Sequence, residues 1–78
     1  MARYLAEQYL VPSSAAHAAD LAALRERVAR LRGLELLESL YVPDDEMCFY
    51  VFESDSQETV RQASGFGRVT EVVAGDAL

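Results

Sequence analysis

The sequence predicts a single α+β domain over residues 1–78, with its elements in the order strand, helix, strand, strand, helix, strand. Three observations predict it. Residues 15–32 contain no Gly or Pro and repeat their large apolar residues at helical spacing. Four stretches rich in Tyr, Leu, Val and Phe are bounded by Gly, Pro, Asp and Ser, as strands are. Two of these are separated only by Pro43-Asp44-Asp45, which makes them an antiparallel hairpin.

The first strand covers residues 3–11, and Pro12 ends it because a proline cannot donate to a central ladder. Ser13 and Ser14 then offer a hydroxyl to cap the helix that follows. That helix runs over residues 15–32, with Leu21, Leu24, Val28 and Leu31 on one face and Gly33 as its stop. Residues 34–42 and 46–53 are the hairpin strands. Ser54-Asp55-Ser56 caps a second, shorter helix, with Gln57 and Glu58 placed for a capping box and Val60 and Ala63 on its apolar side. Gly65-Phe66-Gly67 breaks it, residues 68–74 form a β-branched last strand, and residues 75–78 are a frayed tail. The doubled β-α-β order is the split arrangement of ferredoxin-like folds: a four-stranded antiparallel sheet with two helices on one face.

Size makes such a monomer marginal. A chain of 78 residues buries only roughly 60% of its unfolded surface, and small domains usually add disulfides, a metal or a partner. The lone cysteine, Cys48, excludes an internal disulfide, and one Cys with one His, His17, excludes a zinc-finger set. Seven basic against thirteen acidic residues give a net charge of −6, which argues against a nucleic-acid partner. No apolar run reaches the roughly 20 residues of a membrane span, and the N-terminal apolar run is interrupted by Glu7 and Gln8, unlike a signal peptide. A cytoplasmic protein is expected.

Alternation along each strand groups the side chains into two faces. Glu7 shares a face with Leu5 and Tyr9, Glu38 with Leu36 and Leu40, and Glu71 with Val69 and Val73. Cys48, Tyr50 and Phe52 form one set of the hairpin partner, and Met47, Phe49 and Val51 the other. If the helices cover the more uniformly apolar face, the three glutamates and Tyr50 lie on the uncovered one, among Leu5, Tyr9, Leu36, Leu40, Phe52, Val69 and Val73. That is more apolar surface than a monomer comfortably exposes, so a homodimer burying it around a small pocket is expected.

The strand start Arg3-Tyr4-Leu5 with Glu7 and Pro12 resembles the opening of a family of small bacterial proteins commonly described as nickel-binding. So does the block Tyr41-Val42-Pro43-Asp44-Asp45-Glu46-Met47-Cys48-Phe49, followed by Phe52-Glu53, Ser56, Glu58, Val60-Arg61 and Ala63, and so does the ending Arg68-Val69-Thr70-Glu71-Val72. The resemblance implies a ferredoxin-like subunit that pairs into a dimeric α+β barrel. This chain departs from the pattern after its second helix, where Gln62-Ala63-Ser64-Gly65-Phe66-Gly67 stands in place of a longer segment often carrying His or Asn.

Several chemistries are open on these residues. A nickel-like divalent ion would use carboxylates with His17 or Cys48 as helpers, although a free cysteine is usually a small buried hydrophobe and a first-turn His is ordinarily solvated. The Asp44-Asp45-Glu46 run reads as a solvated turn. There is no phosphate loop, nucleophile elbow or Ser/His/Asp set. A cofactor-free enzyme of isomerase, cyclase or oxygenase type would use Glu7, Glu38 or Glu71 as a base, its charged form desolvated among Leu, Val and Phe. Tyr50 or Tyr9 would donate to a developing enolate. The remaining reading is a non-catalytic interaction module, with Arg25, Arg27, Arg30 and Arg32 as a cationic surface. Binding of a small ligand or divalent metal in a carboxylate-containing pocket is the leading expectation.

Overall fold

The computed structural model describes residues 1–65 and 68–73. Its elements are β1 (Ala2–Gln8), α1 (Ser14–Ala29), β2 (Leu34–Val42), β3 (Met47–Ser54), α2 (Gln57–Ser64) and β4 (Arg68–Val72). The four strands form one antiparallel sheet in the order β2-β3-β1-β4. Both helices pack on the same face of it. This is the ferredoxin-like α+β arrangement that the element order predicts.

Helix α1 starts as expected, with the Ser13 hydroxyl accepting from the Ala16 amide at 3.1 Å. It ends at Ala29, before Gly33, because the Arg30 amide already turns back to the carbonyls of Arg27 and Val28. Gly33, at φ 73, instead makes the turn into β2. Ser56 caps α2 by accepting from the Thr59 amide at 3.2 Å. The capping box does not form, since the third helical residue is Thr59, whose hydroxyl lies 2.9 Å from that of Ser56. Gln57 reaches across to the Val69 carbonyl in β4 at 2.8 Å. Gly65, at φ 66, closes the helix by donating to the Arg61 carbonyl at 2.9 Å.

Strand β1 is shorter than expected. Leu10 adopts φ 63 and turns the chain away, which leaves Tyr9 and Leu10 outside the ladder. Val11 is buried, held by its amide on the Glu46 carbonyl at 2.6 Å and its carbonyl under the Tyr41 hydroxyl at 2.9 Å. Glu46 has φ 50, so β3 begins one residue later than expected. Pro43–Asp45 between the hairpin strands is a short 3-10 turn. The expectations for Phe66, Gly67, residue 74 and the tail 75–78 lie outside the described residues.

The core lies under the helices. Tyr4, Ala6, Cys48, Tyr50 and Phe52 from the sheet meet Val11, Leu24, Val60 and Ala63, with Leu21, Val28 and Leu31 packed at the margin. Ala6 stands opposite Tyr50, so a residue with no side chain beyond Cβ makes room for the largest fully buried one. This reverses the expected assignment of the hairpin partner: the face carrying Cys48, Tyr50 and Phe52 is the covered one. A bulge at Leu37 also separates Leu36 from Glu38, because one extra residue flips the alternation. Leu36 and Val69 therefore face the helices, while the uncovered face presents Leu5, Leu40, Met47, Phe49 and Val51.

Candidate functional site

The three glutamates and Tyr50 do not share one space. Glu7 stands on the uncovered face, opposite Phe49 and Arg68, with its carboxylate 3.9 Å from the Arg68 guanidinium. Glu38 is on the same face opposite Val51, but β3 lies between the two, which puts them roughly 10 Å apart across the sheet. Glu38 lines a recess of about 420 Å³ beside the edge strand, between β2 and the end of α1. Glu71 pairs with Tyr4 and so belongs to the opposite face, exposed on the other edge strand. Tyr50 is fully buried beneath the helices. Tyr9 is half exposed beyond the end of β1.

His17 and Cys48 both lie on the covered side. The His17 ring is stacked on Tyr41, with centroids 5.4 Å apart, and on Tyr50 at 5.9 Å. It is half-buried rather than solvated, because the first turn of α1 lies over these two rings. Cys48 is fully buried and donates to Gln8 Oε1 at 3.3 Å. Burial pushes its thiol above the ordinary value, opposed by the Tyr50 hydrogen bond and reinforced by the Asp20 charge. Among the described residues no three His, Cys, Asp or Glu side chains come together. The donors present do not fit a nickel-like ion held by this chain alone.

A polar constellation that the sequence reading missed sits beside them. Gln8 is its hub. At the end of β1, its alternation follows Tyr4 and Ala6, so an amide is delivered to the covered face. Its Oε1 accepts from Cys48 and from the Tyr50 hydroxyl, each at 3.3 Å, while its Nε2 donates to Asp20 at 3.2 Å. Asp20, Ala23 and Arg27 form one stripe of α1, at helical spacings of three and four residues. The Arg27 Nε donates to the Ala63 carbonyl at 2.7 Å and ties α1 to the last turn of α2.

These residues line a recess of about 410 Å³ between α1, α2 and the end of β1, together with Gln62, Ser64 and Gly65. Ala23 is small enough to leave space between the charges of Asp20 and Arg27. Those two charges form no ion pair with each other among the described residues. Ser64 is 1% exposed, yet its hydroxyl has no hydrogen-bond partner among the described residues. Behind the recess, burial raises the Tyr50 phenol well above its ordinary value, helped by the hydrogen bond and charge of Cys48 and by Asp20 and opposed by Arg27. Tyr50 is thus a standing hydrogen-bond donor at neutral pH.

One sequence signal was available. Asp20 and Arg27 interrupt an Ala-rich helix on the stripe that also carries Ala23, beside the core stripe of Leu21, Leu24 and Val28. Nothing local marks Ser64, which becomes conspicuous only once burial leaves its hydroxyl unpaired.

No family model matches the chain, and no curated protein matches it. Among solved structures it is similar to SCO4226 from Streptomyces coelicolor A3(2), with a TM-score of 0.66 and 18% identity over 95% of this chain and 99% of that one. The likeness is one of fold. It extends over nearly the whole of both chains, so the sheet, the two helices and the recess-forming elements belong to a shared architecture.

Proposed function

We propose that this chain is a small-ligand-binding protein whose site is the polar recess between α1, α2 and the end of β1. The observation that carries the reading is Ser64. A buried hydroxyl left without a partner costs about 1–3 kcal/mol, and a site that accepts a ligand is where such a group has a use. Its neighbours Gln8, Asp20, Arg27 and Gln62 supply donors and acceptors at one end of a recess whose volume suits a small molecule. Catalysis through Glu7, Glu38, Glu71 and Tyr50 would need one enclosure for all four, so binding stands ahead of the enzyme reading. Heteronuclear NMR with a library of small polar fragments tests it. Shift changes are expected at Gln8, Asp20, Arg27 and Ser64. Changes confined to the uncovered sheet face, or none, would sink the proposal.

A second reading concerns assembly. The uncovered face holds Leu5, Phe49 and Val51 on its two central strands, with Leu40 beside them on the edge strand and 48% exposed. Charges stand at its margins as cross-strand pairs, Arg3 with Glu53 and Arg68 with Glu7, both at 3.9 Å. An apolar centre inside a polar rim is the anatomy of a subunit interface. The occupant we propose is a second copy of this chain, giving a homodimer of facing sheets. Sedimentation at micromolar concentration should return twice the chain mass. A nickel-like ion would have to complete its donor set from outside this chain, and calorimetric titration with nickel of the wild type and of Cys48→Ala, His17→Ala decides that point.

A further inference from the structure

We infer that the molecule the recess takes is a small zwitterion, an amino-acid-like compound whose carboxylate meets Arg27 and whose ammonium group meets Asp20. This rests on the recess being a ligand site. The argument is one of charge balance. Asp20 and Arg27 are both half-buried and line the same recess, but they do not pair with each other. Partly desolvated charges that bypass one another leave two demands of opposite sign. A ligand with one charge would satisfy one of them and leave the other. A neutral ligand with both charges satisfies the two together.

The hydrogen bonds already present show which atoms remain for it. Gln8 occupies the Asp20 Oδ2, and the Ala63 carbonyl occupies the Arg27 Nε. That leaves the second carboxylate oxygen and the terminal nitrogens of the guanidinium, whose geometry suits a carboxylate. The two Cα atoms are seven residues, about 10 Å, apart along the helix axis. Both side chains tilt toward the N-terminus of the helix, and the Arg27 stem is much the longer of the two, so its reach sets how much of that span a ligand must bridge. Ser64 and Gln62, from the facing helix, remain to hydrogen-bond the body of the ligand.

Titration of isotopically labelled protein with alanine, 4-aminobutyrate, butyrate and butylamine tests this. At least one of the two zwitterions is expected to bind at least about tenfold tighter than either singly charged compound, because each of those leaves a charge unpaired. Alanine against 4-aminobutyrate reports how far apart the two charges must be. Asp20→Asn should erase the preference over butyrate. Ser64→Ala should weaken the zwitterion while raising the Tm of the free protein, since it removes an unpaired buried hydroxyl. Equal binding of butyrate or butylamine, or binding only of unrelated fragments at Gln8 and Ser64, would overturn the zwitterion and keep the recess as a ligand site. No shift at these residues from any probe or fragment would overturn both.

Discussion

The Arg27 Nε donates to the Ala63 carbonyl at 2.7 Å, so a side chain of α1 satisfies a carbonyl that the end of α2 cannot satisfy within its own helix. The contact joins two helices that otherwise touch sparsely. Arg27→Met keeps most of the aliphatic stem and removes the donor. It should lower unfolding stability by about 1.5–3 kcal/mol, the range for a hydrogen bond from a charged group. Urea denaturation measures it. A change within error would mean that water replaces the guanidinium without loss.

Alkaline pH should destabilise the fold through Cys48 and Tyr50. Both groups are raised in the folded state above ordinary values of 9.0 and 10.0, chiefly by burial. The folded chain then holds protons that the unfolded chain releases. Their contribution is complete below pH 9.0 and is lost as pH climbs through 9.0 and 10.0 toward the folded values. Melting temperature should fall over that window. Tyr50→Phe should flatten the upper part of the decline, at a cost near neutrality of about 0.5–1.5 kcal/mol for the lost bond to Gln8. An unchanged alkaline limb in that variant would remove Tyr50 from the account.

The two turn glycines should differ. Gly65 is at φ 66 with open space where a Cβ would stand, so Gly65→Ala carries only the left-handed penalty, about 1–2 kcal/mol. Gly33 is at φ 73, and a Cβ there would sit 2.7 Å from the Asp55 carboxylate. Asp55 is also tied to Gly33 through its amide, at 3.2 Å from the Gly33 carbonyl. Gly33→Ala should therefore lower Tm further than Gly65→Ala. The reverse order would show that Asp55 moves aside freely.

Leu40→Arg separates assembly from folding. Leu40 is on the edge strand and half exposed, so a charge there should leave the monomer's circular dichroism unchanged. Beside Phe49 in the proposed interface, it should abolish the dimer. Leu24→Ala, in the fully buried core, should do the opposite, lowering stability by about 2–5 kcal/mol through lost burial and a cavity. A Leu40→Arg variant that still sediments as a dimer would move the interface elsewhere.

The element order, the hairpin and the helical stripe were legible because each is written in local chemistry. Leu24 and its neighbours recur at the helix period, Ser13 and Ser56 are caps, and Pro43-Asp44-Asp45 is too short for anything but an antiparallel return. Within-strand alternation was equally legible for Cys48, Tyr50 and Phe52. The site was not. A single extra residue at Leu37 reversed the face of Glu38 relative to Leu36, and no local feature announces it.

The sequence by itself determined this protein's order of strands and helices, its ferredoxin-like arrangement and the partition of β1, β3 and β4 into two faces, since these depend on residues a few positions apart. Only the tertiary structure decided which face the helices cover, because that choice rests on Ala6 lying opposite Tyr50 in a register that spans the chain. It also brought Gln8, Asp20, Arg27 and Ser64, from three different elements, to one recess. Their chemistry comes from what burial does to them: a hydroxyl or a charge that water would satisfy on an open chain becomes a demand for a partner once the fold removes the water.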